Sequence, residues 1–172
     1  VEGLILRKHG IFSFGATARE AYERMVVLVT LAENHIAGVG EGVFPGATPP
    51  TELSPVSEVA PVVRGVLAMR GDESVSDPVR MILNFRTSEA VLNYVNGLEV
   101  SRYSQVGVVT PDHAIRTKMT PLVVPAPEAG QGKAFRDAAG EAAEKYVADY
   151  RAYFARHDGV REPAKTELDP MP

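Results

Sequence analysis

The sequence predicts an α/β fold, and three observations carry that reading. An apolar run, Leu4-Ile5-Leu6, stands at the head of the chain in strand-like company. A hydroxyl-x-x-Glu box, Thr17 to Glu20, opens a stretch of helical periodicity. A second long amphipathic stretch fills residues 133–157. With 45% apolar and 23% charged residues the composition is that of an ordinary globular chain, and 172 residues suffice to bury a core.

Each element follows in turn. Residues 3–9 read as a strand whose first half is continuously apolar, which predicts burial on both faces. His9-Gly10 breaks the pattern, glycine permitting a turn there, and residues 11–15 resume as a second short strand. Behind Thr17, apolar Tyr22, Met25, Val26, Val29, Ala32 and Ile36 mark one helical stripe that ends near residues 37–38.

Residues 40–55 carry Gly40, Gly42, Pro45, Gly46, Pro49, Pro50 and Pro55 and predict a linker or a surface-hugging loop. Ser54-Pro55 reads as an N-cap followed by proline at the first helical position. The next helix presents Val56, Val59, Ala60, Val63, Val66 and Leu67 on one face, with Pro61 as a kink point. An exposed turn is expected at 71–74 and a strand at 79–85. Thr87 or Ser88 caps a helix over 89–96 that Gly97 closes, and 98–105 holds another turn or two. Residues 106–120 read as irregular, 122–124 as a short strand and 125–132 as a second connector. The helix over 133–157 has Phe135, Ala139, Ala142, Tyr146, Ala148, Tyr150 and Tyr153 as its inward or semi-inward set, and 159–172 reads as an extended, charged tail.

The chain opens at Val1 directly on a strand pattern and stops at Asp169-Pro170-Met171-Pro172. The expectation is an interior piece of a longer polypeptide. In domain terms, 1–39, 40–55 and 56–172 read as the end of one domain, a linker and a mainly helical inter-domain region.

Charge and composition narrow the function. There are 18 Lys and Arg against 22 Asp and Glu, a net charge of -4, which argues against a nucleic-acid binder. The absence of Cys removes disulfides, thiolate metal sites and cysteine nucleophiles. No apolar run approaches the roughly 18–20 residues of a membrane span, and no signal-peptide pattern opens the chain. The expectation is a soluble, cytoplasmic protein. Neither a Gly-rich phosphate fingerprint nor a GxSxG elbow occurs.

The chain has four histidines, His9, His35, His113 and His157, and none is paired at a metal-binding spacing. His35 and His157 fall near helix C-termini, where a cation is favoured, and read as surface residues. His9 ends the first strand after Arg7 and Lys8, a position that in open α/β sheets borders the binding crevice. The plainer reading is a hairpin-turn histidine bonded to a neighbouring carbonyl. The stretch from Thr110 to Lys118 gathers His113, Arg116, Lys118, Asp112 and the hydroxyls of Thr110 and Thr117. Arg116, Lys118 and Thr117 suit an anion, and Asp112 orients His113 only if the loop folds back. Its alternative is a turn with solvated charges. Tyr146, Tyr150 and Tyr153 share helical spacing and read as core or interface residues.

From Gly3 to Gly15, followed by Thr17-x-x-Glu20-Ala21-Tyr22, the chain resembles the class II aldolase/adducin family. That family's aldolase domain ends in an apolar strand, a His-Gly pair, a short strand ending in Gly and a helix opening of this kind. The stretches Met81 to Ser88, Arg102 to Gly107 and Thr110 to Lys118 resemble a narrower group. Its bifunctional members join a rhamnulose-1-phosphate aldolase-type domain to a short-chain alcohol dehydrogenase.

The resemblance implies that residues 1–39 are the last strands and helix of a three-layer α/β/α aldolase domain. It implies that His9 is a ligand of a divalent metal, usually zinc, that polarises a ketose carbonyl and stabilises the enediolate. The partner ligands, an HxH pair and an acidic residue, have no match here, nor has the dehydrogenase's Gly-rich strand. The implied reaction cleaves a ketose 1-phosphate to dihydroxyacetone phosphate and lactaldehyde, in a homo-oligomer, with NAD serving a linked dehydrogenase. His113, Arg116 and Lys118 form a substrate- or anion-facing set. The piece alone is expected to be inactive, since one His does not hold zinc tightly. The alternative is a non-catalytic, adducin-like scaffold or inter-domain packing module.

Overall fold

A strand pair built from Leu4-Ile5-Leu6 and Ile11-Phe12 has only four residues on each side, so its faces need cover from elsewhere. In the computed structural model, which describes residues 2–39, 45–48, 50–68, 81–159, 163, 165–167 and 169–172, β1 (Gly3–Leu6) pairs antiparallel with β2 (Gly10–Ser13). Gly3 faces Ser13 and Leu6 faces Gly10. The chain divides into two compact units, Val1–Pro45 with Arg102–Thr120, and Gly46–Ser101 with Pro121–Pro172.

In the first unit the hairpin is followed by α1 (Ala18–Val39). The Glu20 amide donates to Thr17 Oγ1 at 3.2 Å, and the Ala16 amide donates to Glu20 Oε2 at 2.7 Å. The capping box thus forms, with the glutamate reaching one residue beyond the cap. Arg24 adds a second tie, pairing with Glu20 at 2.6 Å and donating to the Phe14 carbonyl at 2.7 Å. The Ser13 hydroxyl donates to the Ala21 carbonyl at 2.7 Å, fixing the helix start against β2. A Cβ at Gly3 would fall on the Leu28 side chain, so α1 lies directly on the strand pair there.

Two expectations fail in this unit. The first strand stops at Leu6 and is not buried on both faces, since Ile5 is 74% exposed. Among the described residues the sheet has two strands, followed by one covering helix, consistent with an α/β piece. The stripe foreseen on α1 is also not its packed face. Tyr22, Val26, Val29 and Ile36 are exposed, whereas Ala21, Arg24, Met25 and Leu28 are half-buried. The α1 sequence is apolar around much of its circumference, so periodicity alone does not select the face that meets the hairpin.

Residues 106–120, read as irregular, contain α5 (Pro111–Arg116), with Thr110 at the N-cap and proline in the first turn. The short helix α4 (Val100–Tyr103) precedes them. Ser104 is the buried polar residue here, its hydroxyl accepting from Gln105 Nε2 at 3.1 Å.

The second unit packs α2 (Val56–Leu67) against α6 (Gly132–Asp158). Val66, Ala139 and Ala143 form the shared core, with Leu122 and Val124 against it. Small residues on α6 let α2 approach closely, which is why the deepest positions are alanines. Ala143 is 1% exposed, whereas the foreseen inward residues Ala148 and Tyr153 face solvent. The expected strand at 122–124 is extended chain without a ladder, its apolar side chains serving the core directly.

Pro55 itself is the N-cap of α2, and the Ser54 hydroxyl instead donates to the Glu128 carbonyl at 3.3 Å. The helix runs on through Pro61, which lies on its exposed side. Residues 46–54 are stitched to distant backbone: the Ala47 amide donates to Asn96 O at 2.8 Å, Ser54 to Pro127 O at 2.7 Å, and Ala129 to Glu52 O at 3.0 Å. Of the strand expected at 79–85, residues 79–80 lie outside the described residues. Residues 81–88 form no ladder and Ile82 is 96% exposed. The turn expected at 71–74 also lies outside the described residues. Ser88 caps α3 (Glu89–Val95) by accepting from the Val91 amide, and Gly97, just past the C-cap Asn96, bridges to Gly46. The tail is not simply extended and charged, for Pro170 and Met171 are buried in this unit.

Candidate functional site

The corner of the hairpin is a tight turn. The His9 amide donates to the Leu6 carbonyl at 3.1 Å, with Arg7 and Lys8 between them. Lys8 takes φ +58°, the left-handed conformation that glycine or asparagine ordinarily supplies at the third residue of such a turn. For lysine this costs about 1–2 kcal/mol. Gly10 follows at φ +146°, a value that favours glycine, so the chain re-enters β2 without a side-chain clash.

This turn displays His9. Its imidazole is exposed and leans on Phe12, ring centroids 5.4 Å apart and planes inclined at 44°. Its backbone amide makes the turn's hydrogen bond, while its ring nitrogens have no hydrogen-bond partner among the described residues. An imidazole so placed fits one ligand position of a divalent cation. Among the described residues, however, no group of three or more His, Asp or Glu side chains is gathered to hold a metal. The described residues therefore do not complete a coordination sphere by themselves.

The second candidate stretch lies in the same unit. His113 sits in α5 with Nδ1 2.7 Å from the Thr110 hydroxyl. Thr110, not Asp112, thus orients this ring, because a helical turn brings residue i+3 back over the N-cap while Asp112 points elsewhere on the helix. The Thr117 hydroxyl donates to the His113 carbonyl at 2.8 Å and lies 3.2 Å from the Lys118 carbonyl. That hydroxyl is engaged with the backbone and is a poor donor for an anion. His113 and Arg116 are exposed, and Lys118 is half-buried.

The structure ties the base of this stretch to the hairpin corner. Lys8 Nζ donates to the Val106 carbonyl at 3.1 Å. Gly107, at φ +83°, turns the chain beside it, and a Cβ there would lie 3.7 Å from both Lys8 Nζ and Met119 Cε. Lys8, Gly107 and Thr110 were not singled out from the sequence for these roles. The available signals were a lysine before His-Gly, a glycine between valines, and a threonine three residues ahead of a histidine.

The other two histidines lie outside both stretches. His35 and His157 are exposed near the C-terminal ends of α1 and α6, and the His157 ring lies 4.7 Å from that of Tyr153. Burial, and secondarily Tyr150, pushes the Tyr146 phenol above its ordinary pKa.

Residues 1–36 match the class II aldolase and adducin N-terminal domain, and residues 54–172 match the second domain of class II aldolases. The chain belongs to the class II aldolase family. It is similar to an uncharacterized oxidoreductase, YuxG, of Bacillus subtilis (strain 168), with 28% identity over 168 residues. That alignment covers 91% of this chain and 23% of the relative, so the chain spans about a quarter of that relative's length. No solved structure matches the chain. No helix among the described residues is long and apolar enough to cross a membrane.

Proposed function

We propose that this chain is part of a divalent-metal-dependent sugar-phosphate aldolase of the rhamnulose-1-phosphate type. The reaction is retro-aldol cleavage of a ketose 1-phosphate to dihydroxyacetone phosphate and lactaldehyde. The observation that carries the reading is the exposed His9 imidazole, its ring nitrogens unbonded among the described residues, within the stretch matched by the aldolase and adducin model. When bound, a divalent cation, with zinc the expected ion, supplies Lewis-acid polarisation of the ketose carbonyl. His9 contributes one ligand, and the others come from outside the described residues.

His113, Arg116 and Lys118 are the substrate- or anion-facing set in this reading. The exposed guanidinium of Arg116 suits a phosphate or carboxylate. Residues 1–39 are the C-terminal part of a three-layer aldolase domain in this reading, residues 40–55 a linker, and residues 56–172 a mainly helical inter-domain region. The similarity to a much longer oxidoreductase supports a linked short-chain dehydrogenase that uses NAD. The complete protein is cytoplasmic and homo-oligomeric in this reading.

The test is turnover of rhamnulose 1-phosphate by the complete gene product, with and without a chelator. Chelator-sensitive cleavage, lost in His9→Ala, is the expected result. The chain of 172 residues alone is expected to show neither turnover nor tight one-to-one zinc binding. The competing reading is a non-catalytic adducin-like scaffold or inter-domain packing module. A complete gene product inert toward the sugar phosphate, and indifferent to zinc, would support that module instead.

A further inference from the structure

Lys8 occupies a backbone conformation that lysine disfavours, and it is held there by a bond to a residue 98 positions away in sequence. A strained residue persists only where its surroundings over-determine it. Here the surroundings are the hairpin turn on one side and the Val106–Gly107 backbone on the other. Gly107 follows the accepting Val106 carbonyl and turns the chain at φ +83°, a backbone conformation that residues with a Cβ rarely adopt. Residues 107 and 119 are also the two ends of the excursion that carries α5.

We propose that Lys8 is a positioning residue that fastens the hairpin corner displaying His9 to the base of the 107–119 excursion. The two candidate stretches are thereby held as one body. This rests on the reading of His9 as a metal ligand for its functional consequence, but not for the clamp itself. The lysine works through its reach. Its ammonium crosses from the corner to the Val106 carbonyl, and the left-handed backbone at position 8 aims it there. Neither Arg7 nor any other residue of the corner makes a bond to this backbone among the described residues.

The test uses the complete gene product and three variants, Lys8→Met, Lys8→Arg and His9→Ala. Amide hydrogen exchange reads the clamp without reference to catalysis. Lys8→Met is expected to speed exchange at His9 and at His113, Ala114 and Thr117, whose amides are bonded within the two tied segments. Unfolding midpoint and far-ultraviolet circular dichroism should stay at wild-type values. Affinity for zinc, by chelator competition, should fall about 10–100-fold, as for loss of a group that orients a metal ligand. Lys8→Arg, which keeps a long cationic donor, should restore both exchange and affinity. Unchanged exchange in both segments of Lys8→Met would overturn the clamp. Wild-type zinc affinity in Lys8→Met while His9→Ala loses it would overturn the role of Lys8 in positioning His9. Should His9→Ala keep wild-type zinc affinity, the metal reading of His9 falls, and the exchange data alone then decide for or against the clamp.

Discussion

The hydroxyl of Thr110 lies 2.7 Å from Nδ1 of His113, one helical turn further on. With Nδ1 engaged, Nε2 is the ring nitrogen left for solvent or a ligand. Thr110→Val removes the hydroxyl at nearly constant shape. The expected outcome is a shift of the His113 imidazole nitrogen resonances toward those of an unrestrained ring. Unaltered resonances would mean that the hydroxyl does not hold the ring.

The junction between β2 and α1 leaves no room for a side chain at position 15. A Cβ on Gly15 would stand 2.5 Å from the Ala21 amide nitrogen and 2.9 Å from Glu20 Cβ. Since the first obstacle is helix backbone, Gly15→Ala must displace the helix start and should cost about 1–3 kcal/mol. Thr17→Ala removes the cap without a clash and should cost about 1 kcal/mol. Urea unfolding midpoints of the two variants check the order.

On α6, Ala143 and Ala148 separate a core role from a surface one. Ala143→Leu forces a larger side chain into the Val66–Ala139 contact and should destabilise by about 1–3 kcal/mol. Ala148→Leu, at an exposed position, should change stability by no more than about 0.5 kcal/mol. Equal effects in the two variants would contradict the packing of α2 on α6.

Tyr146 gives a pH dependence with a definite sign. Its folded-state pKa lies above the ordinary tyrosine value of 10.0, mainly through burial. Below that value the phenol is neutral in both states and stability is unaffected. As the pH rises past it, the unfolded chain ionises first, and stability falls until the folded-state pKa is passed. Tyr146→Phe should flatten the decline seen in denaturant unfolding between neutral and strongly alkaline pH. A decline of the same slope in both proteins would show that other groups cause it.

Much of the local structure was legible beforehand. The Thr17–Glu20 box, the Ser88 cap, Gly97 beyond Asn96 and the span of the last helix all appear where the sequence places them. These signals act over three or four residues, through hydrogen bonds the chain makes with its own near neighbours. The helix at 111–116 was not foreseen, because a charged stretch between prolines reads as irregular chain. Of the candidate site, the residue types at 9, 113, 116 and 118 were evident, whereas their supports were not. Thr110 and Lys8 act through side-chain reach, which carries no periodic signature.

The sequence by itself determined the spans of α1, α3 and α6 to within a residue or two, that no thiol chemistry is available in this chain, and that a histidine sits at a turn. It also placed the chain near a family through one short motif and three scattered stretches. Only the tertiary structure decided which face of α1 meets the strands, that Ala143 and not Ala148 is buried, and that Lys8 reaches Val106. The division has a physical cause. Caps and turns are settled by interactions within one turn of chain, while burial and long-range hydrogen bonds depend on which surfaces meet, and several faces of these helices are apolar enough to serve.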